Sequence, residues 1–271
     1  MLRALLLFTF TVVPLSAQEL TLPARPVDAP GGAEIVRAIR SMAPAEREAR
    51  IYAEVARGNV PSWLRALKPV RLRGRGSDGL RTVVVLVTPD YLAVGSDDDY
   101  FRVPLTAATA QRIADLTGTS LPTPAIVDAV WRGADVRLGP DSISPGPAMT
   151  TVPVFERHEW MVEARREVHA APAGALVAGH HKDVVLTARL DTLPGRVAIY
   201  GWHRPDGRPI QPLYTGHDVD WVDYSHGIRL VARLVLVDDT SADLLELLAD
   251  PERAWLVSDE GRVERPRYSG S

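Results

Sequence analysis

The chain has 271 residues, 31 Lys+Arg against 34 Asp+Glu and a net charge of −3, so it lacks the cationic excess on which phosphate-backbone binding depends, and nucleic acid is not an expected partner. Cysteine is absent, which excludes disulfides, thiolate nucleophiles and thiolate metal ligands together. Any site must therefore use oxygen and nitrogen groups, and the 46% hydrophobic composition suffices for a substantial core.

Residues 1–17 have the order of a secretory signal peptide. Arg3 supplies the positive region, Ala4 to Val13 an uncharged apolar run, and Pro14-Leu15-Ser16-Ala17 the small-residue end, with cleavage expected after Ala17. A bilayer span needs about 20 apolar residues, so no transmembrane segment is expected once the signal is removed. The location that follows is secreted or periplasmic, and the mature chain carries 30 basic and 34 acidic residues.

Residues 18–33 read as an extended lead-in broken by Pro23, Pro26, Pro30 and Gly31-Gly32. Helical spacing of Ile35, Val36, Ile39 and Met42, then of Ile51 and Val55, predicts two short helices between 33 and 57, the second opened by Pro44. Leu80 to Val87 is a β-branched strand, and pairing with Tyr91 to Val94 across Thr88-Pro89-Asp90 predicts a hairpin. Helices follow at 106–117, capped by Thr106 and ended by Gly118, and at 122–132. The acidic triplet Asp97-Asp98-Asp99 lacks the alternation of an EF-hand loop and reads as a hairpin tip.

Proline, serine and glycine make 139–153 the place where two lobes would divide. Beyond it are expected a helix at 156–167, strands at 184–190, 196–200 and 227–237, a helix at 241–248 and a final strand at 254–257. Helices and strands do not alternate as βαβ units, so the expected fold is α+β. The N-terminal half is mostly helical with a hairpin, the C-terminal half is built on an antiparallel or mixed sheet, and 34–271 forms one domain.

All seven histidines (His158, His169, His180, His181, His203, His217 and His226) lie between 158 and 226. Imidazole titrates near neutral pH and is the commonest neutral metal ligand, so this half is where proton transfer or a Lewis acid is expected. Three strings carry the candidates. Gly179-His180-His181-Lys182-Asp183 opens a strand, and His180 with Asp183 is close enough to share a metal. A strand from Val197 runs into His203 before the turn at Pro205-Asp206-Gly207. The densest polar stretch, 216–230, holds His217, Asp223, Ser225, His226 and Arg229.

Ser225-His226-Gly227-Ile228-Arg229-Leu230 resembles the Ser-His-Gly-Cys-Ile-Arg signature of L,D-transpeptidases, which remodel peptidoglycan stems outside the cytoplasm. The resemblance covers six residues and lacks that family's nucleophilic cysteine, so no catalytic role is carried over. The strings Tyr200-Gly201-Trp202-His203 and Tyr224-Ser225-His226-Gly227 are similar to secreted bacterial proteins to which no activity is attached.

The leading expectation is a secreted hydrolase acting on peptide or amide bonds of the cell envelope from a site in 158–230. No nucleotide-holding glycine motif is present. In a metal form, His180, Asp183 and one of His203, His217 or His226 would bind Zn²⁺ and activate a water. In a metal-free form Ser225 attacks, a histidine from another strand takes its proton and Asp223 or Asp183 orients that histidine. The alternative is a non-catalytic envelope or extracellular binding module, in which Asp223, Tyr224, His226 and Arg229 form a network that fixes the sheet. Convergence of His180, His203, His217 and a carboxylate in an open cleft favours the enzyme, and dispersal or pairing in a closed core favours the module.

Overall fold

Isoleucine and valine at helical spacing bury one face of α1 (Gly32–Ile39), and α2 (Pro44–Ala56) starts on Pro44 with the Glu46 carboxylate accepting from the Ala43 amide. These are the two helices that the spacing predicts. The computed structural model describes residues 18–76 and 79–268, so the expected signal peptide lies outside the described residues. After α3 (Ser62–Arg65), strand β1 (Lys68–Gly76) pairs antiparallel along the whole of β2 (Gly79–Val87).

That pairing corrects the expected hairpin. The partner of the 80–87 strand precedes it, because Thr88-Pro89-Asp90 turns the chain inward instead of back along β2. Strand β3 (Ala93–Gly95) pairs instead with β4 (Tyr100–Arg102). The acidic tip between them is tied down: Asp97 accepts from the amide and hydroxyl of Ser62 at 2.6 Å each, and Asp99 accepts from the Ala33 amide at 2.9 Å. The Asp99 carboxylate thus meets the electropositive start of α1.

Helix α4 (Ala107–Thr117) is capped by Thr106 and ends at left-handed Gly118, as its sequence predicts. Strand β5 (Thr119–Ser120), helix α5 (Pro124–Gly133) and strand β6 (Val136–Arg137) follow. The 17-residue helix α6 (Val152–Val168) buries Phe155, His158, Glu159, Val162 and Arg166, a core-facing stripe with the helical period but a largely polar composition.

The C-terminal part holds β7 (Val177–Ala178), β8 (Lys182–Val184), β9 (Arg196–His203), β10 (Pro209–Asp218) and β11 (His226–Gly227). It ends with β12 (Val231–Ala232), β13 (Leu234–Val237), β14 (Thr240–Asp243) and α7 (Leu244–Ala249). Only a short 3₁₀ turn, Ala254–Leu256, occupies the place of the expected final strand. The fold is α+β, with helices mostly in the N-terminal half. One sheet runs β14-β13-β2-β12-β5 with β1 on β2, and the other runs β10-β9-β8-β11, antiparallel except for the parallel pair β8–β11. One continuous core contains Ile35 and Leu86 as well as Val184 and Ile228, so residues from both sides of 139–153 share it. Among the described residues no helix is long and apolar enough to cross a membrane.

Gly227 is required where the sheets meet. A Cβ there would lie 2.5 Å from the Tyr91 ring and 2.9 Å from Cβ of His181, both buried. Gly227→Ala is predicted to cost about 1–3 kcal/mol by overpacking. Thermal denaturation should show a melting point lowered by several degrees, and an unchanged melting point would refute this packing.

Candidate functional site

The sequence-predicted residues fall into three groups. The first is built on Asp90, just after β2. Its Oδ2 receives Arg102 at 2.8 Å and Arg166 at 3.0 Å, and its Oδ1 lies 3.1 Å from His180 Nε2. His180 Nδ1 in turn meets His181 Nδ1 at 2.7 Å. Arg102 also binds Glu159 at 2.7 Å. Burial alone would raise Asp90, but Arg102, His180 and Arg166 overcome it and hold the carboxyl well below its ordinary value. Burial pushes His180 down to about 4 against the pull of Asp90, and pushes His181 well below its usual value, helped by His158 and His180.

Asp183 stands on the adjoining stretch of β8. Tyr91 donates its hydroxyl to Asp183 Oδ2 at 2.7 Å, while Oδ1 has no hydrogen-bond partner among the described residues and lies 3.8 Å from Arg229 Nε. Burial raises this carboxyl to about 6, with Arg229 and Tyr91 opposing. The Arg229 guanidinium donates to the carbonyls of Thr88 and Val177 at 2.6 and 2.7 Å, tying β2 to the β7 strand. The expected zinc set is not assembled by these side chains. Both His180 nitrogens are engaged, and among the described residues no three His, Asp or Glu groups are placed to hold a metal ion.

The second group centres on Asp223 and gathers four of the five expected catalytic residues. Ser225 donates its hydroxyl at 2.5 Å and its amide at 2.8 Å to Asp223 Oδ1, and Lys182 Nζ lies 3.3 Å from Oδ2. Burial works to raise Asp223, but His226, Lys182 and the Ser225 bonds bring it down to about 2. His226 is pushed down to about 4 by burial with Asp223 opposing, and His217 is likewise lowered by burial against the pull of Asp223. His217 sits toward the surface, stacked on Trp221 with ring centres 4.7 Å apart. Ser225 is 0% exposed and His226 1% exposed, and neither touches the other through a hydrogen bond.

Several polar atoms around Asp223 lack partners among the described residues: both nitrogens of His226, Nε2 of His158 and Nε1 of Trp202. Trp202 also has φ of 57°, a left-handed backbone that a bulky residue rarely adopts. This break ends the alternation that predicted a continuous face through His203. Lys182 Nζ is 5.3 Å from the Trp202 ring, and His158 packs edge-on against His181, Trp202 and Tyr224. Burial, with His180, drives His158 down to about 3. His158 therefore joins the first two groups.

The third group holds His203. Its Nε2 and the Tyr200 hydroxyl both meet Asp128 Oδ1 at 2.9 Å, and its ring stacks on Trp131 at 5.2 Å. This arrangement forms a wall of an open pocket of about 380 Å³ lined by Trp131, Arg132, Arg137 and the 205–207 turn. His180, His203 and His217 thus occupy three places and do not converge. Sequence reasoning missed Asp90, Arg102, Asp128 and Lys182. Lys182 lay inside a singled-out string, whereas Asp128 had no signal beyond one carboxylate on a helix.

No family model matches the chain, and no curated protein or solved structure matches it. The site therefore stands on its own geometry.

The buried imidazoles set a pH dependence. His158, His180 and His226 bind protons in the unfolded chain below about 6.5 but resist them in the fold until about 3 to 4, so folding stability falls as pH drops through that window. Each contributes about 1.4 kcal/mol per pH unit. Asp183, Glu159 and Glu48, all raised by burial, act with the opposite sign and offset part of it, while His181 adds to the loss. Melting temperature should decline from pH 6.5 to 4.5, and more shallowly in His226→Phe. A flat profile would show that these histidines are not held neutral.

Proposed function

We propose that this chain is a binding module of the envelope or extracellular space, in which the histidine-rich polar core is scaffold and ligand contact occurs elsewhere. The observation that carries this reading is the state of Ser225. Its hydroxyl is spent on Asp223 at 2.5 Å in a fully buried position, with no histidine bonded to it. The expected serine mechanism needs a histidine within hydrogen-bond reach and room for a substrate carbonyl, and neither accompanies the buried Ser225 here. Tyr224 and Arg229 likewise donate to backbone carbonyls, which is how a network fixes a sheet. The signal peptide expected at 1–17 supplies the compartment, and peptidoglycan or another envelope polymer is the class of partner it makes available.

The hydrolase reading retains one specific support. Orphaned polar atoms on His158, Trp202 and His226 surround Asp223 beside a strained backbone, and such features concentrate at functional sites. In that reading Lys182, Asp223 and His217 would carry the chemistry on envelope peptide or amide bonds.

Co-sedimentation with purified cell-wall polymer, followed by analysis of released products and of bound metal, separates the two. The expected result is saturable sedimentation of the mature protein with no product released, and the same binding by Ser225→Ala and His217→Ala. Product release that is lost in either variant would overturn the module reading in favour of the hydrolase.

A further inference from the structure

The open pocket beside His203 has a charge layout that selects its ligand. Arg132 reaches it from the last turn of α5, and its guanidinium has no hydrogen-bond or ion-pair partner among the described residues. Arg137 spends Nε and Nη2 on the carbonyls of Trp131 and Arg132 at 2.8 and 2.5 Å, which leaves Nη1 uncommitted. Two carboxylates share the lining. Asp128 is held through Oδ1 alone by Tyr200 and His203, so its Oδ2 is uncommitted, and Asp206 accepts only the Arg208 amide on Oδ1. Trp131 packs behind this lining at 6% exposure, with His203 stacked on its ring, the Arg137 guanidinium 5.8 Å from its centre and Gly207 at its edge.

The carboxylate is preorganised. His203 is 2% exposed and its ring is clamped flat against Trp131, so the donor that orients Asp128 cannot swing away. Gly207 has φ of 84°, and a Cβ there would lie 3.2 Å from Trp131 Nε1, so the turn fits the indole edge only as glycine. A lone anion in this pocket meets Asp128 and Asp206, and a lone cation meets the two arginines. A ligand carrying both charges at a short separation satisfies both pairs, and about 380 Å³ lies at the lower end of the volumes of small-ligand pockets.

We propose that this pocket binds a short zwitterionic peptide, whose carboxylate is taken by Arg132 and Arg137 and whose ammonium is taken by Asp128 and Asp206. The assignment rests on the binding-module reading and supplies its ligand class. Hydrogen-bonded ion pairs at both ends give the pocket its selectivity, because capping either end leaves a charge of the protein unanswered.

Isothermal titration of the mature protein with dialanine, in L,L and D,D forms, tests this directly. Saturable binding is expected for at least one stereoisomer, at least tenfold weakened by N-acetylation or by C-terminal amidation. Arg132→Gln should weaken the free dipeptide at least tenfold while leaving the C-amide unaffected, and Asp128→Asn should do the same for the ammonium end. Both residues are at the surface of the pocket, and circular dichroism verifies that the variants fold. Absence of saturable binding up to millimolar dipeptide, or equal binding of capped and uncapped forms, would overturn the pocket assignment even where the polymer still sediments with the protein. Cleavage of the dipeptide during titration would overturn the module reading itself.

Discussion

A single buried carboxylate, Asp90, holds the two halves of the chain in register. It is 1% exposed and ties the end of β2 to Arg102 of β4, Arg166 of α6 and His180 at the entrance to β8. Taking such charges out of water is expensive, and the cost is recovered only when every partner is present and well aligned. Removing one partner from a buried set of this kind costs roughly 3–5 kcal/mol. Arg166 and His180 come from 76 and 90 residues further along the chain, so this ionic centre joins the two halves, as the pairing of β2 with β12 and β13 also does.

The same centre explains why histidine accumulates without forming a site of the expected kind. An imidazole accepts and donates at opposite edges, and the row from Asp90 through His180 to His181 uses that property to carry a hydrogen-bonded chain across the buried interior. Arg102 and Arg166 already supply the positive charge that Asp90 needs, so the histidines stay neutral. Asp223 repeats the pattern on a smaller scale with Lys182 as its cation and Ser225 as its hydroxyl donor. His203 is different in that it orients a carboxylate that reaches the surface.

What could be read from the sequence follows from how each element is stabilised. Helices α1, α2, α4 and α5 bury apolar stripes, and α2 and α4 carry local signals at Pro44, Thr106 and Gly118, so their positions are legible in the spacing of the sequence. Strand β1 was not legible, because it opens on Lys68-Pro69 and its alternation rests on Val70 and Leu72 alone, too short a pattern to mark a strand without its pairing to β2. The strand expected at 227–237 is instead three short ones, His226–Gly227, Val231–Ala232 and Leu234–Val237, and just before the first the Asp223 carboxylate accepts from the Ser225 amide in an Asx-type turn. Gathering His217, Asp223, Ser225 and His226 in one group was legible from their density. Their closure was not, since burial of a polar cluster depends on the partners Lys182, Trp202 and His158 that come from other elements.

The claim that the histidine core is a closed, neutral scaffold is tested most directly by imidazole ¹⁵N NMR of the mature protein between pH 7 and pH 5. His180, His181 and His226 are each expected to keep one neutral tautomer throughout. Protonation of His180 or His226 near pH 6.5 would contradict it, because it would mean that water or a proton donor reaches the cluster and that the core is a working site.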